Sequence, residues 1–133
     1  MPLPIKNVSG MNGIRILCDT NPLIYLLDGN KEVAKFLDNK QIHVSVITEL
    51  ELYGKSDMPE DALKIIEMML ESCFITEINQ EIKQIYKQIK RNYTIKLPDA
   101  IIAATAISLD IPLLTFDTDF QKIPDLKVIL WRP

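Results

Sequence analysis

The 133-residue chain has few of the residues that many catalytic and metal sites require. It contains one histidine, His43, and two cysteines, Cys18 and Cys73, so neither a Cys/His zinc site nor a disulfide framework is expected. His43 falls in the middle of a predicted strand, where a histidine is poorly placed to activate a serine or cysteine nucleophile in a cleft. The four glycines stand singly, so a glycine-rich phosphate loop is absent.

Long apolar runs and an excess of basic charge are also missing. Charged residues make up 25% of the chain and interrupt every apolar run well before the ~18 residues of a membrane helix. No cationic stretch followed by an apolar one opens the chain, so we expect no signal peptide and a cytoplasmic protein whose cysteines are reduced core thiols. The net charge of −3 disfavours nucleic acid as a partner, unless several carboxylates are gathered around a metal.

The length is that of one domain with a core of ordinary size. Residues 1–13 carry two prolines and two glycines without periodicity, and we expect a flexible N-terminal arm there. Residues 14–133 would then form the domain.

Short apolar strands alternate with amphipathic helices along that domain. Strands are predicted at residues 14–18, 42–45, 73–78, 113–115 and 128–130, and helices at 20–27, 31–39, 46–53, 59–71, 80–93 and 98–109, with a short helical turn at 117–123. Apolar strands of this kind are typical of a parallel sheet that is covered on both faces. The predicted fold is therefore α/β, a three-layer α/β/α sandwich with a central, mainly parallel sheet.

Acidic residues follow the ends of these strands. Asp19 follows the first strand, Glu49 lies four residues after the second, and Asp117 and Asp119 follow the strand at 113–115. Asp99 opens the helix that leads into that strand. Ligands of open parallel sheets bind outside the carboxyl ends of the strands, so these five carboxylates can point to one place.

Each acid also has an ordinary structural interpretation, such as capping a helix or lying on a solvated face. Their convergence would nevertheless be costly, because two carboxylates ~5 Å apart repel by roughly 3 kcal/mol at an effective dielectric constant of ~20. A cation among them, or protonation of some, would relieve that repulsion. Oxygen-only ligands suit Mg²⁺ or Mn²⁺ better than zinc.

Four stretches of the sequence resemble the PIN domain, and within it the VapC-like toxins of bacterial toxin-antitoxin pairs. The stretches begin at Ile16, Ser45, Leu97 and Pro112 and read ILCDTNPLI, SVITELELYG, LPDAIIAATA and PLLTFDTDF. Together with their spacing they cover residues 14–131. One departure is Asp110, where many relatives have glycine, and aspartate tolerates the left-handed conformation expected there.

The resemblance implies a ribonuclease that depends on Mg²⁺ or Mn²⁺ and hydrolyses RNA phosphodiester bonds. The implied catalytic acids are Asp19, Glu49, Asp99 and Asp117; the implied metal ligands are Asp19, Asp99, Asp117 and Asp119; and Asn21 and Thr115 occupy supporting polar positions. Glu51 is left out, because it lies about 200° around the helix from Glu49.

A basic helix face offers a surface for the RNA. Lys83, Lys87, Lys90 and Arg91 share one face of the predicted helix at 80–93, and Lys96 follows in the loop before Asp99. The alternative interpretation is a solvated helix face without a partner.

Size and the lack of extra domains resemble the toxins of the family, which implies an antitoxin protein as a partner and a homodimer. The main alternative is a PIN-like domain that has lost catalysis and serves as an interaction module. A two-component receiver domain fits poorly, because Cys18 stands where a second acid is needed beside Asp19. A haloacid-dehalogenase-like phosphatase fits poorly, because Asn21 replaces its second aspartate.

Overall fold

The computed structural model describes residues 13–55 and 59–132 of the chain. Its elements are β1 (Ile14–Cys18), α1 (Thr20–Leu27), α2 (Lys31–Leu37), β2 (Lys40–Ser45), α3 (Val46–Tyr53), α4 (Glu60–Glu71), β3 (Phe74–Thr76), α5 (Gln80–Asn92), α6 (Leu97–Leu109), β4 (Leu113–Thr115), a 3₁₀ helix (Thr118–Lys122) and β5 (Val128–Leu130). The expected N-terminal arm lies outside the described residues, apart from Gly13.

The five strands form one sheet in the order β3-β2-β1-β4-β5, and every pairing is parallel. From the central strand β1 the chain builds outward to β2 and β3, then crosses to the other side for β4 and β5. The reversal places β1 beside β4, with Cys18 in register with Leu114. Their carboxyl ends therefore meet at the switch point where open α/β sheets bind ligands.

Alternating side chains of the strands build two hydrophobic layers. Ile16 and Cys18 of β1 face a cluster that includes buried residues of α1, α2, α3 and α4. Leu17 faces the opposite cluster, which takes its buried residues from α5, α6 and the 3₁₀ helix. The predicted three-layer α/β/α fold is confirmed, and the sheet is wholly parallel.

Helix ends follow local side-chain chemistry. Asn30 and Asn79 cap α2 and α5 by accepting the amide N–H of Val33 and Ile82. Asp110 ends α6 with φ 54° and ψ 47°, the left-handed conformation expected for it.

Several elements begin or end one or two residues away from the prediction, and two of these differences have a clear local cause. Helix α2 stops at Leu37 rather than residue 39, because Asn39 takes a positive φ of 65° and β2 begins at once. Strand β3 starts after Cys73, since the amide N–H of Cys73 bonds the carbonyl of Leu70 and extends the end of α4.

The cysteines and the histidine lie in the interior. Cys18 and Cys73 are buried and free of disulfide bonds, and burial raises the pKa of the Cys18 thiol. His43 is buried on β2, and its ring stacks on Phe74 with centroids 4.9 Å apart. No helix in the described part of the chain is long and apolar enough to cross a membrane.

Candidate active site

Asp19 is the acid most firmly fixed by the fold. It follows β1 directly, caps α1, and is 7% exposed. Its Oδ1 accepts the amide N–H of Thr20 at 2.8 Å, and its Oδ2 accepts the hydroxyl of Thr115 at 2.7 Å. Burial raises the pKa of Asp19, and these two hydrogen bonds oppose that rise.

Thr115 joins the ends of the two central strands. It is fully buried at the end of β4, donates to Asp19, and accepts the amide N–H of Asp117 at 3.0 Å. One hydroxyl thus fixes the orientation of Asp19 and the path of the chain into Asp117.

Asp99 lies in the first turn of α6 and is half-buried. Its pKa is raised to about 6, first by burial and then by the negative charges of Asp19, Asp117 and Glu51. The ammonium of Lys96 partly offsets the rise. Three other carboxylates, each from a different part of the chain, therefore lie near Asp99 at the carboxyl ends of β1 and β4.

Glu51, rather than Glu49, is the glutamate that joins this group. The hydroxyl of Thr20 donates to Glu51 Oε1 at 2.6 Å, and the charge of Glu51 raises the pKa of both Asp19 and Asp99. Glu49 points elsewhere: its charge, with those of Glu67 and Glu71 from α4, adds to the burial that raises the pKa of Tyr53. The structure therefore brings Glu51, and not the predicted Glu49, beside Asp19 and Asp99.

The rotation of α3 about its axis explains why Glu51, and not Glu49, lies near Asp19 and Asp99. Thr48 and Leu52 of α3 are both buried, so they fix which side of the helix faces inward. Glu51 lies three residues after Thr48 and shares its side, whereas Glu49 lies about 200° from Glu51. One feature of the sequence could have favoured Glu51 over Glu49. Thr48 and Glu51 are three residues apart, so they lie on the same side of a helix.

The remaining predicted site residues lie at the margin. Asp117 caps the 3₁₀ helix, with its Oδ1 accepting the amide N–H of Asp119 at 2.8 Å. The exposed side chain of Asp119 pairs with Lys122, with Nζ and Oδ1 3.6 Å apart. Asn21 is exposed at the second position of α1. The structure thus joins Asp117 to the group and directs Asp119 toward a surface lysine.

A family model for the PIN domain matches residues 16–126, most of the chain. This chain belongs to the PIN domain family. Its sequence is 29% identical over 126 residues to "Ribonuclease VapC" of Rickettsia bellii (strain RML369-C), with 86% of this chain and 94% of the relative covered.

Two solved structures extend the likeness. A toxin-antitoxin complex from Klebsiella pneumoniae contains a chain that is 34% identical, with a TM-score of 0.74, covering 86% of this chain and 95% of that one. VapBC2 from Rickettsia felis, solved with a DNA fragment from its promoter, gives a TM-score of 0.80 at 23% identity, covering 90% of this chain and 100% of that one, and shows the shared fold.

The donor set of the site fits a hard divalent cation. It offers carboxylate oxygens alone. Burial, together with the charges of neighbouring acids, raises the pKa of Asp99 and Asp19, and a bound cation would stabilise their ionised forms. Within the residues described, no three His, Cys, Asp or Glu side chains are already close enough to hold an ion. An ion would have to draw the acids of this PIN domain inward.

The predicted RNA-contacting residues of the PIN domain differ in their surroundings. Lys96 caps α6 and acts directly on Asp99. Lys90 is engaged, since its ammonium donates to the carbonyl of Ile95 at 2.6 Å and braces the loop between α5 and α6. Lys83, Lys87 and Arg91 are exposed on α5.

Proposed function

We propose that this PIN domain protein is a metal-dependent endoribonuclease that hydrolyses RNA phosphodiester bonds, as the toxin of a type II toxin-antitoxin pair. The observation that supports the proposal is the grouping of Asp19, Glu51, Asp99 and Asp117 at the sheet switch point, where the charges of Glu51 and Asp117 act on both Asp19 and Asp99. The name of the Rickettsia bellii relative, a ribonuclease, supports the chemistry.

The cofactor would be Mg²⁺ or Mn²⁺. Asp19, Asp99 and Asp117 would hold it, with Glu51 in the place first given to Glu49. Asp119, whose exposed carboxylate pairs with Lys122, stays a further candidate ligand at the edge of the site. When bound, such an ion would neutralise charge on the phosphoryl oxygens and make a bound water more acidic.

The chain's own residues would orient the water and move its proton. Thr115 and the amide N–H of Thr20 hold both oxygens of Asp19 in place. An acid that does not contact the ion would accept the proton of the attacking water, and Glu51 suits this role because it is the most exposed of the four. Lys96 would contact a phosphate of the RNA beside Asp99, with Lys83, Lys87 and Arg91 extending the basic surface.

Protein partners are the second part of the proposal. The Klebsiella pneumoniae relative was solved as a toxin-antitoxin complex, which supports an antitoxin chain as the partner here. An apolar groove between α1, α3 and α4, lined by Ile24, Leu27, Leu52 and Ile66, offers a surface for it. Exposed apolar side chains on α3 and α4, Leu50, Tyr53 and Met68 among them, add surface that a homodimer could bury. We place the protein in the cytoplasm with its RNA.

The alternative is a PIN domain without catalysis that serves only as an interaction module. The observation in its favour is that the described acids are not yet placed to hold an ion.

One assay separates the two functions: cleavage of a fluorescent single-stranded RNA by the purified chain, with Mn²⁺ and with excess EDTA. The nuclease cleaves with Mn²⁺ and stops with EDTA. RNA that stays intact in both conditions, with the protein folded by circular dichroism, would contradict the nuclease function and favour the interaction module.

A further inference from the structure

The buried hydroxyl of Thr48 on α3 contacts a residue of another helix, α1. The residue is fully buried on α3, and its Oγ1 lies 3.2 Å from Oγ1 of Thr20 at the start of α1. A helical threonine commonly bonds a carbonyl one turn back. Thr105 of α6 does so, donating to the carbonyl of Ile101 at 2.7 Å. Thr48 is instead directed across the interface between α1 and α3.

The number of protons fixes the direction of the hydrogen bonds. The hydroxyl of Thr20 is 2.6 Å from Glu51 Oε1 and carries a single proton, while an ionised carboxylate can only accept. Thr20 therefore donates to Glu51, and the proton between the two threonines comes from Thr48. The hydrogen bonds run from Thr48 to Thr20 to Glu51.

Thr20 is the point where two of the acids are held together. Its amide N–H bonds Asp19 Oδ1 at 2.8 Å, and its hydroxyl bonds Glu51. A threonine hydroxyl can rotate unless a neighbouring group fixes it. Because Thr48 donates to the Thr20 oxygen, the hydroxyl proton of Thr20 is directed toward Glu51.

We propose that Thr48 is a positioning residue for RNA cleavage: by donating to Thr20, it holds Glu51 over the site beside Asp19. The inference rests on the proposed nuclease function. Thr48 acts on the acids through the hydroxyl of Thr20.

Substitutions at Thr48 separate this role from simple packing. Thr48→Val keeps the shape and removes the hydroxyl, so kcat for Mn²⁺-dependent RNA cleavage should fall about tenfold, the scale of lost support for a metal site, with KM little changed. Thr48→Ser keeps the hydroxyl and should recover kcat to within about twofold of the wild-type protein. Thr105→Val is the matched control, a buried helical threonine whose loss should leave kcat unchanged.

The same substitutions in a Thr20→Val background test whether Thr48 acts through Thr20. With the middle hydroxyl gone, Thr48→Val should cost no further activity. A Thr48→Ser variant as slow as Thr48→Val, an unchanged kcat in Thr48→Val, or a second full loss in the Thr20→Val background would overturn the proposal.

A melting cycle in EDTA tests the chain of bonds without any turnover. The Tm losses of Thr48→Val and Glu51→Ala should be non-additive when Thr20 is present and additive in the Thr20→Val background. Additive losses in both backgrounds would refute the coupling. Because this cycle needs no cleavage, it decides the inference even if the wild-type protein fails to cut RNA, a result that would contradict the proposed function alone.

Discussion

The hydroxyl of Thr115 lies 2.7 Å from Oδ2 of Asp19, joining two residues that are 96 positions apart in the sequence. The contact spans the boundary between β1 and β4, where the chain reverses its direction of sheet building. Thr115 also accepts the amide N–H of Asp117 at 3.0 Å, so the loss of one hydroxyl would release two acids.

Thr115→Val should therefore weaken both the fold and the site. The free energy of unfolding in EDTA should fall by about 1–3 kcal/mol, because the partly buried amide N–H of Asp117 and the buried Oδ2 of Asp19 each lose a partner. RNA cleavage should fall roughly 10- to 100-fold. Thr115→Ser is the control and should retain most of both quantities; equal losses in the two variants would show that Thr115 serves packing alone.

Glu51 and Glu49 provide a matched pair on one helix. Glu51→Gln should lower kcat/KM for RNA by at least about 100-fold, since it removes a charge from the group that includes Asp19 and Asp99. Glu49→Gln should stay close to the wild-type value, because Glu49 faces Tyr53. A larger loss of kcat/KM in Glu49→Gln than in Glu51→Gln would mean that Glu49 is the glutamate used in catalysis.

The sequence was sufficient for the fold because each element carries its own signals. Asn21 and Pro22 mark the start of α1, Gly54 marks the end of α3, and short apolar strands indicate a sheet covered on both faces. The ends of α2 and β3 were less certain, because they depend on the positive φ of Asn39 and on a bond from Cys73 to Leu70.

The site was only partly predictable for a related reason. An acid that follows a strand, such as Asp19, is placed by the sheet itself. An acid on a helix is placed by the rotation of that helix, and the sequence motif favoured Glu49 over Glu51 because it does not show that Thr48 and Leu52 form the buried side of α3. The pairing of Asp119 with Lys122 likewise depends on how the 3₁₀ helix turns.

The metal-free protein should become less stable as the pH rises through Asp99's titration. The pKa of Asp99 is raised from 3.8 to about 6 in the folded protein, so between these values the folded state binds more protons than the unfolded state. The stabilisation that protonation of Asp99 contributes to the folded state is fully present below pH 3.8 and is lost as the pH rises through about 6.

Melting in EDTA at pH 5 and pH 7.5 measures this contribution. The drop in Tm between the two pH values should be smaller in Asp99→Asn, which cannot titrate, than in the wild-type protein. An equal drop in Tm in both proteins would mean that the titration of Asp99 does not cause the loss of stability. Asp28→Asn, at the end of α1, serves as the control for the loss of a carboxylate.

The exposed lysines of α5 should contribute to RNA affinity through phosphate contacts. In a cleavage-deficient Asp99→Asn background, Lys83→Gln and Lys87→Gln should each reduce the slope of log affinity against log salt by about 0.7, the value for one phosphate of a single strand. Lys64→Gln on α4, across the sheet, should leave the slope unchanged. If no variant changes the slope, the lysines of α5 face solvent and do not contact RNA phosphates.

We propose that Asp19, Asp99 and Asp117 share one divalent cation, and anomalous diffraction from a crystal of this chain soaked in Mn²⁺ would locate it. We expect one strong peak bounded by carboxylate oxygens of Asp19 and at least one of the other two, about 2.0–2.2 Å from each, the range for small divalent ions with oxygen ligands. A well-occupied peak elsewhere, or none between these residues at saturating Mn²⁺, would contradict it.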